Sequence, residues 1–203
     1  MKQVYRARTG FVLGWVWVAF FAFNVWDLTA RYNGKASMVA LAVLGVLTAI
    51  VYMVALRPAT VLTESHLQGR NPLRSTFVPW AAVEEVSVSH SINVGYGQER
   101  VLRLWTPMTS ARERAKAQRR GVTPRQRGRL RTEPTLPKGE QAAAEAFAGK
   151  THADWLGDQI TDRAEAARRR KGEPAPVRTV WAYDSFAAIA LAAALVVAAV
   201  VVD

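Results

Sequence analysis

The densest chemistry in this chain is a run of fixed positive charge. Between Arg112 and Arg131 lie nine basic residues, Arg112, Arg114, Lys116, Arg119, Arg120, Arg125, Arg127, Arg129 and Arg131, against one acid, Glu113. Guanidinium groups present forked donors that match phosphate and carboxylate oxygens. Close to an anionic leaflet each such charge contributes about 1 kcal/mol of attraction. The run therefore suits contact with anionic lipid headgroups, and equally a solvated, Arg-rich linker that follows the positive-inside bias. No aromatic side chain is interleaved with it for bases to stack on, so no nucleic-acid partner is expected.

The residue types that usually perform catalysis are present but do not converge. His66, His90 and His152 are scattered, and none forms a pair at metal-ligating spacing, so no metal site is expected. Gly95-Tyr96-Gly97 lacks the third glycine and the strand–helix setting of a dinucleotide fingerprint, and reads as a hairpin turn. Glu84 and Glu85 are adjacent on a strand, which points them to opposite faces and prevents acid–base cooperation. No P-loop or nucleophile elbow occurs. The chain has no cysteine, which excludes disulfides, thiolate catalysis and Cys-ligated zinc or iron–sulfur centres. The expectation is a non-catalytic protein with no cofactor.

The elements that carry these residues are set by hydropathy. Thr9–Trp26, Ala36–Leu56 and Ser185–Val202 are uncharged throughout. At about 1.5 Å of rise per residue each approaches the ~30 Å of a hydrocarbon core. Three transmembrane helices are predicted, at 9–26, 36–56 and 185–202. The first has a basic n-region, but its apolar stretch is too long for a signal peptide and no A-x-A-like site closes it, so it is expected to be retained. Asn33-Gly34 marks the turn of the first hairpin. Asn24, inside the first span, is expected to bond a neighbouring helix.

The net charge is +11, concentrated on one side of the predicted spans. Lys2, Arg6 and Arg8 precede the first span, and residues 57–183 carry 22 Lys/Arg against 13 Asp/Glu. The positive-inside bias then predicts a multi-pass plasma-membrane protein with its N-terminus and central domain cytoplasmic and its C-terminus outside.

Within the central block the hydrophobic period shortens. Ala59–Thr63, Leu67–Arg70, Ser75–Pro79, Val83–Val88 and Val101–Trp105 are short β-branched or alternating runs separated by turn residues. They predict an antiparallel meander of about five strands. Residues 107–149 hold few large apolar side chains and read as a basic disordered insertion. Thr151 and Asp154 then form a capping-box-like start, and Leu156, Ile160, Ala164 and Ala167 make one apolar helix stripe. A linker and interfacial aromatic collar, 172–184, leads to the last span.

A meander closed by one amphipathic helix, with Val78-Pro79-Trp80 before a strand containing Val83, Val86 and Val88, resembles the actinobacterial PH (pleckstrin-homology-like) domain-containing membrane proteins. The resemblance implies an α+β membrane protein: three transmembrane helices with a cytoplasmic PH-like antiparallel β-barrel, over 57–171, closed by that helix. It implies Val78, Pro79 and Trp80 as the family-like motif, and no general activity.

Two functional classes stay open. One is a non-catalytic binding or scaffolding module that docks a membrane or cytoplasmic protein partner and engages anionic membrane lipid through its basic loop. The other is an accessory or assembly subunit of a larger membrane complex, for which the spacing of Ala42, Gly45 and Ala49 and the Ala-rich third span would permit close helix approach. A transporter is not expected, because three spans offer almost no polar lining and no internal repeat.

Overall fold

A computed structural model of the protein describes residues 2–97, 99–121, 149–170 and 175–201, without the side chains of 118–121. Its elements in chain order begin with β1 (Gln3–Tyr5), α1 (Arg8–Ala30) and α2 (Gly34–Val51), which is continued by a π-helical turn, Tyr52–Leu56. Strands β2 (Ala59–Leu62), β3 (His66–Arg70) and β4 (Arg74–Pro79) follow, then a 3-10 turn, Trp80–Ala82. Next come β5 (Val83–Val88), β6 (Ile92–Tyr96), β7 (Arg100–Leu104) and α3 (Ala111–Gly121). The chain closes with α4 (His152–Arg169), β8 (Arg178–Trp181) and α5 (Tyr183–Val201).

Among the described residues, α1, α2 with its π-turn, and α5 are each long and apolar enough to cross a membrane. Their packing is set by small residues. A Cβ on Gly14 would lie 2.6 Å from Leu56 Cδ2, so α1 sits tightly against the π-turn. A Cβ on Gly45 would lie 2.6 Å from Leu195 Cδ1, so α5 packs closely on α2. Ala42, Gly45 and Ala49 are buried there, as are Ala192 and Ala199. The small-residue seam is thus filled by the chain's own third apolar helix. Trp17 Nε1 donates to Thr48 Oγ1 at 2.9 Å and links α1 to α2. Asn24, expected to bond a neighbouring helix, instead donates to Phe20 O of its own helix at 2.8 Å.

The strands form two antiparallel sheets, not the closed barrel the resemblance implied. One has the order β1-β2-β3-β4-β8 and the other β5-β6-β7. Two of these strands lie outside 57–171. β1 precedes the first apolar helix and pairs Gln3 with Leu62, while β8 pairs Arg74 with Trp181 just before the third. The hairpin of α1 and α2 is therefore inserted between two neighbouring strands of one sheet. β6 was not foreseen either: it takes in Gly95 and Tyr96, and the turn falls at Gly97 and Glu99, both with positive φ.

The core lies between the sheets and beneath α4. Leu62, Leu67, Val78, Val83, Ile92, Val94, Leu102 and Leu104 meet Leu156, Ile160 and Ala164 of α4. The α4 capping box forms as its spacing predicts: Asp154 N donates to Thr151 Oγ1 at 3.3 Å and Thr151 N to Asp154 Oδ2 at 2.8 Å. The Val78-Pro79-Trp80 motif carries the chain from one sheet to the other. Val78 and Trp80 are buried, and Trp80 Nε1 donates to Thr63 O at 3.0 Å.

Candidate functional site

Three helices begin around one cavity of about 780 Å³. Its wall combines Arg6, Arg8 and Thr9 at the start of α1 with Thr109, Glu113 and Lys116 from the start of α3. Lys150, Thr151 and His152 at the start of α4 complete it. Each helix N-terminus leaves backbone N–H groups without helical partners and adds a partial positive charge. Four fixed cationic side chains, Arg6, Arg8, Lys116 and Lys150, face one carboxylate, Glu113.

Local chemistry explains why these helices start where they do. Ser110 and Glu113 form a second capping box: Glu113 N donates to Ser110 Oγ at 3.1 Å, and Ser110 N to Glu113 Oε2 at 3.1 Å. The cavity's only carboxylate among the described lining residues is thereby engaged in holding α3. Thr109 N donates to His90 O at 2.9 Å, and Arg114 Nη2 donates to Ser89 O, so α3 is docked on the β5–β6 turn. Next to the cavity, Tyr5 donates to Gln159 Oε1 at 3.2 Å and lies 5.9 Å from the ring of His152, which stacks on Trp155.

Lys150 pairs with Asp158 at 2.6 Å, and that hydrogen bond, with its Coulombic attraction, raises the ammonium above the usual lysine range. Thr109 is 5% exposed, lines the cavity, and its buried Oγ1 has no hydrogen-bond partner among the described groups. A buried hydroxyl left unpaired costs about 1–3 kcal/mol.

The nine basic positions divide. Lys116 lines the cavity, Arg114 is committed to Ser89, and Arg112 is exposed on the first turn of α3. Arg119 and Arg120 lie on the α3 backbone without described side chains, and Arg125, Arg127, Arg129 and Arg131 lie outside the described residues. Residues 111–121, expected as loop, are helical. The Ser110-x-x-Glu113 spacing is the local signal that marks this helix start. Arg6, Arg8 and Lys150 were also missed as site residues, because nothing local links them.

The other candidates stay apart. His66 bonds Ser65 at 3.0 Å and packs on Phe77, while His90 is exposed; no group of three or more His, Asp or Glu suited to a metal occurs among the described residues. Glu84 and Glu85 are both exposed, because a register shift between Val83 and Glu85 breaks the strand alternation.

Residues 57–121 match the family model of the bacterial PH domain. The match takes in β2 to β7 and α3, and leaves out β1, α4, β8 and the three apolar helices. Searches of curated proteins and of solved structures gave no match. The PH-like domain is of a type that binds, and the cavity lies at its junction with the first apolar helix.

Proposed function

We propose that this protein is an integral-membrane, non-catalytic binding module whose PH-like domain sits at the cytoplasmic face and takes the anionic headgroup of a lipid in the cavity between α1, α3 and α4. The N-terminus is cytoplasmic and the C-terminus outside. The observation that carries the reading is position: Arg6, Arg8 and Lys116, together with Lys150 in its pair with Asp158, line a cavity at the residue where an apolar helix begins. A headgroup entering there keeps its acyl chains alongside α1. The remaining basic residues, from Arg112 to Arg131, add long-range attraction to the same leaflet.

The chain has no native cysteine, so single labels are clean. An environment-sensitive fluorophore on Ala115→Cys, exposed on α3, is read in nanodiscs of phosphatidylcholine with and without phosphatidylglycerol. The anionic lipid is expected to shift the emission in a salt-reversible way, and Arg8→Gln/Lys116→Gln to abolish most of the shift. Identical spectra in the two lipids would reject the headgroup site. Labels at Asn33 and at Ala115 should react from opposite sides of sealed vesicles; reaction from one side rejects the topology.

A further inference from the structure

A second cavity, of about 390 Å³, lies against the five-stranded sheet where α2 ends and α5 begins. Antiparallel register places its lining on one face. Arg70 is opposite Ser75, which is opposite Val180, and Gln68 is opposite Phe77, which is opposite Arg178. Directly opposed residues share a face, and so do residues two apart along a strand. Arg57, Trp181, Tyr183 and Asp184 close the cavity at the points where α2 ends and α5 begins.

The charges in this cavity are unequal in kind. Arg57 is fully engaged: Nε meets Asp184 Oδ2 at 2.8 Å, Nη2 donates to Ser75 Oγ at 3.2 Å, and Nη1 donates to Asn71 O. Tyr52 also donates to Asp184 Oδ2, at 2.8 Å. That pair is neutral as a unit. Arg70 and Arg178 have no carboxylate in ion-pair reach among the described residues, and the buried Arg70 Nε has no hydrogen-bond partner there. Among the described residues the cavity thus holds two guanidinium groups without a paired carboxylate, above Phe77 and Val180, with Trp181, whose ring lies under Arg74, and Tyr183 at its edge. By strand spacing and rise their Cα atoms are roughly 12 Å apart, so both forks can reach one tetrahedral anion.

We propose that this cavity is a second lipid site, in which Arg70 and Arg178 hold the phosphate of an anionic membrane phospholipid while its acyl chains run along α5. It goes beyond the headgroup site at α1, shares no residue with it, and rests only on the membrane reading of the apolar helices. A phosphate ester is favoured over a carboxylate because two forked donors approach from separate strands. Lipid is favoured over a free phosphate because the rim residues, Trp181 and Tyr183, are those that sit at membrane interfaces. The bound lipid would tie β8 to the helix that follows it directly.

The test uses the full chain in a mild non-ionic detergent, with lipid retention followed by native mass spectrometry. Dioleoylphosphatidylglycerol is the probe, dioleoylphosphatidylcholine the neutral control and glycerol phosphate the soluble anion. Arg70→Gln/Arg178→Gln is expected to weaken phosphatidylglycerol retention by about tenfold or more, the loss of one to two charge-assisted contacts. Arg8→Gln/Lys116→Gln is expected to leave this component intact, which separates the failure of one site from the failure of the other. If the double variant does not fold, Arg178→Gln alone decides, since that side chain is on the exposed edge strand. Retention unchanged in these variants, or equal retention of phosphatidylcholine by the wild type, overturns the proposal. Displacement of the lipid by glycerol phosphate at equal affinity overturns the lipid source.

Discussion

The two sheets of this domain have opposite relations to the apolar helices. Among the described residues, each helix long enough to cross a membrane is continuous with the five-stranded sheet: β1 runs into α1, the π-turn after α2 runs into β2, and β8 runs into α5. The three-stranded sheet connects to none of them. It is held by the shared core, by α4 above it, and by α3 docked on its first turn. The first sheet is therefore an anchor whose orientation is fixed at three points, and the second is a lid packed onto it. Both cationic cavities border elements that enter or leave the anchor.

The sharpest way to break this contrast is Arg57→Leu. The Arg57 side chain is 5% exposed and joins the end of α2 to Asp184 at the start of α5 and to Ser75 of β4. Removing one member of a buried, hydrogen-bonded pair costs about 3 kcal/mol. Asp184 keeps 44% exposure and is partly rehydrated, which moderates the loss. Thermal unfolding in detergent should show a drop of several degrees. Arg103→Leu, on the three-stranded sheet, should move it much less, since its Nε only bonds Ser91 Oγ at 3.0 Å. Equal effects would remove the distinction between anchor and lid.

A smaller effect is expected on the lid side. Thr151→Ala deletes the N-cap of α4 and should cost about 1 kcal/mol. It also removes a wall of the first cavity, so lipid response at the Ala115 label should fall together with stability. Thr151→Ser keeps the cap oxygen and should restore both. A stability loss with an unchanged lipid response would separate the helix start from the site.

The smallest effect concerns Lys150 and Asp158. The carboxylate raises the ammonium, so the lysine gains a proton-bound partner on folding. The stabilisation is complete below the ordinary lysine value of about 10.5 and is lost as pH rises through the higher folded value. Asp158→Asn should therefore be slightly less stable than wild type at neutral pH, and the two unfolding curves should converge on the alkaline side. A gap that widens with alkalinity would contradict the pairing.

Much of this architecture was readable along the chain, because it depends on sums and periods. Hydropathy over some twenty residues marks the three apolar helices whatever their neighbours. The 3.6-residue stripe from Leu156 to Ala167 and the Thr151–Asp154 cap mark α4, since both act within one helix. What was lost was either short or distant. β1 is three residues long and follows a strand logic only because β2 is beside it. The barrel became two sheets because β1 and β8 extend one sheet while β5 to β7 pair among themselves, a choice set by the core between them.

Both cavities belong to this second class. Arg57 and Asp184 are 127 positions apart, and Arg6 lines one cavity with Lys116 and Lys150 only once β1 has docked on β2 and α4. Residue types and local spacing specify which elements form and how much charge each carries. Which charges share a cavity, and which one is neutralised before any ligand arrives, follows from strand register and helix packing. Those are long-range contacts, and their free energy is realised only when the whole fold closes.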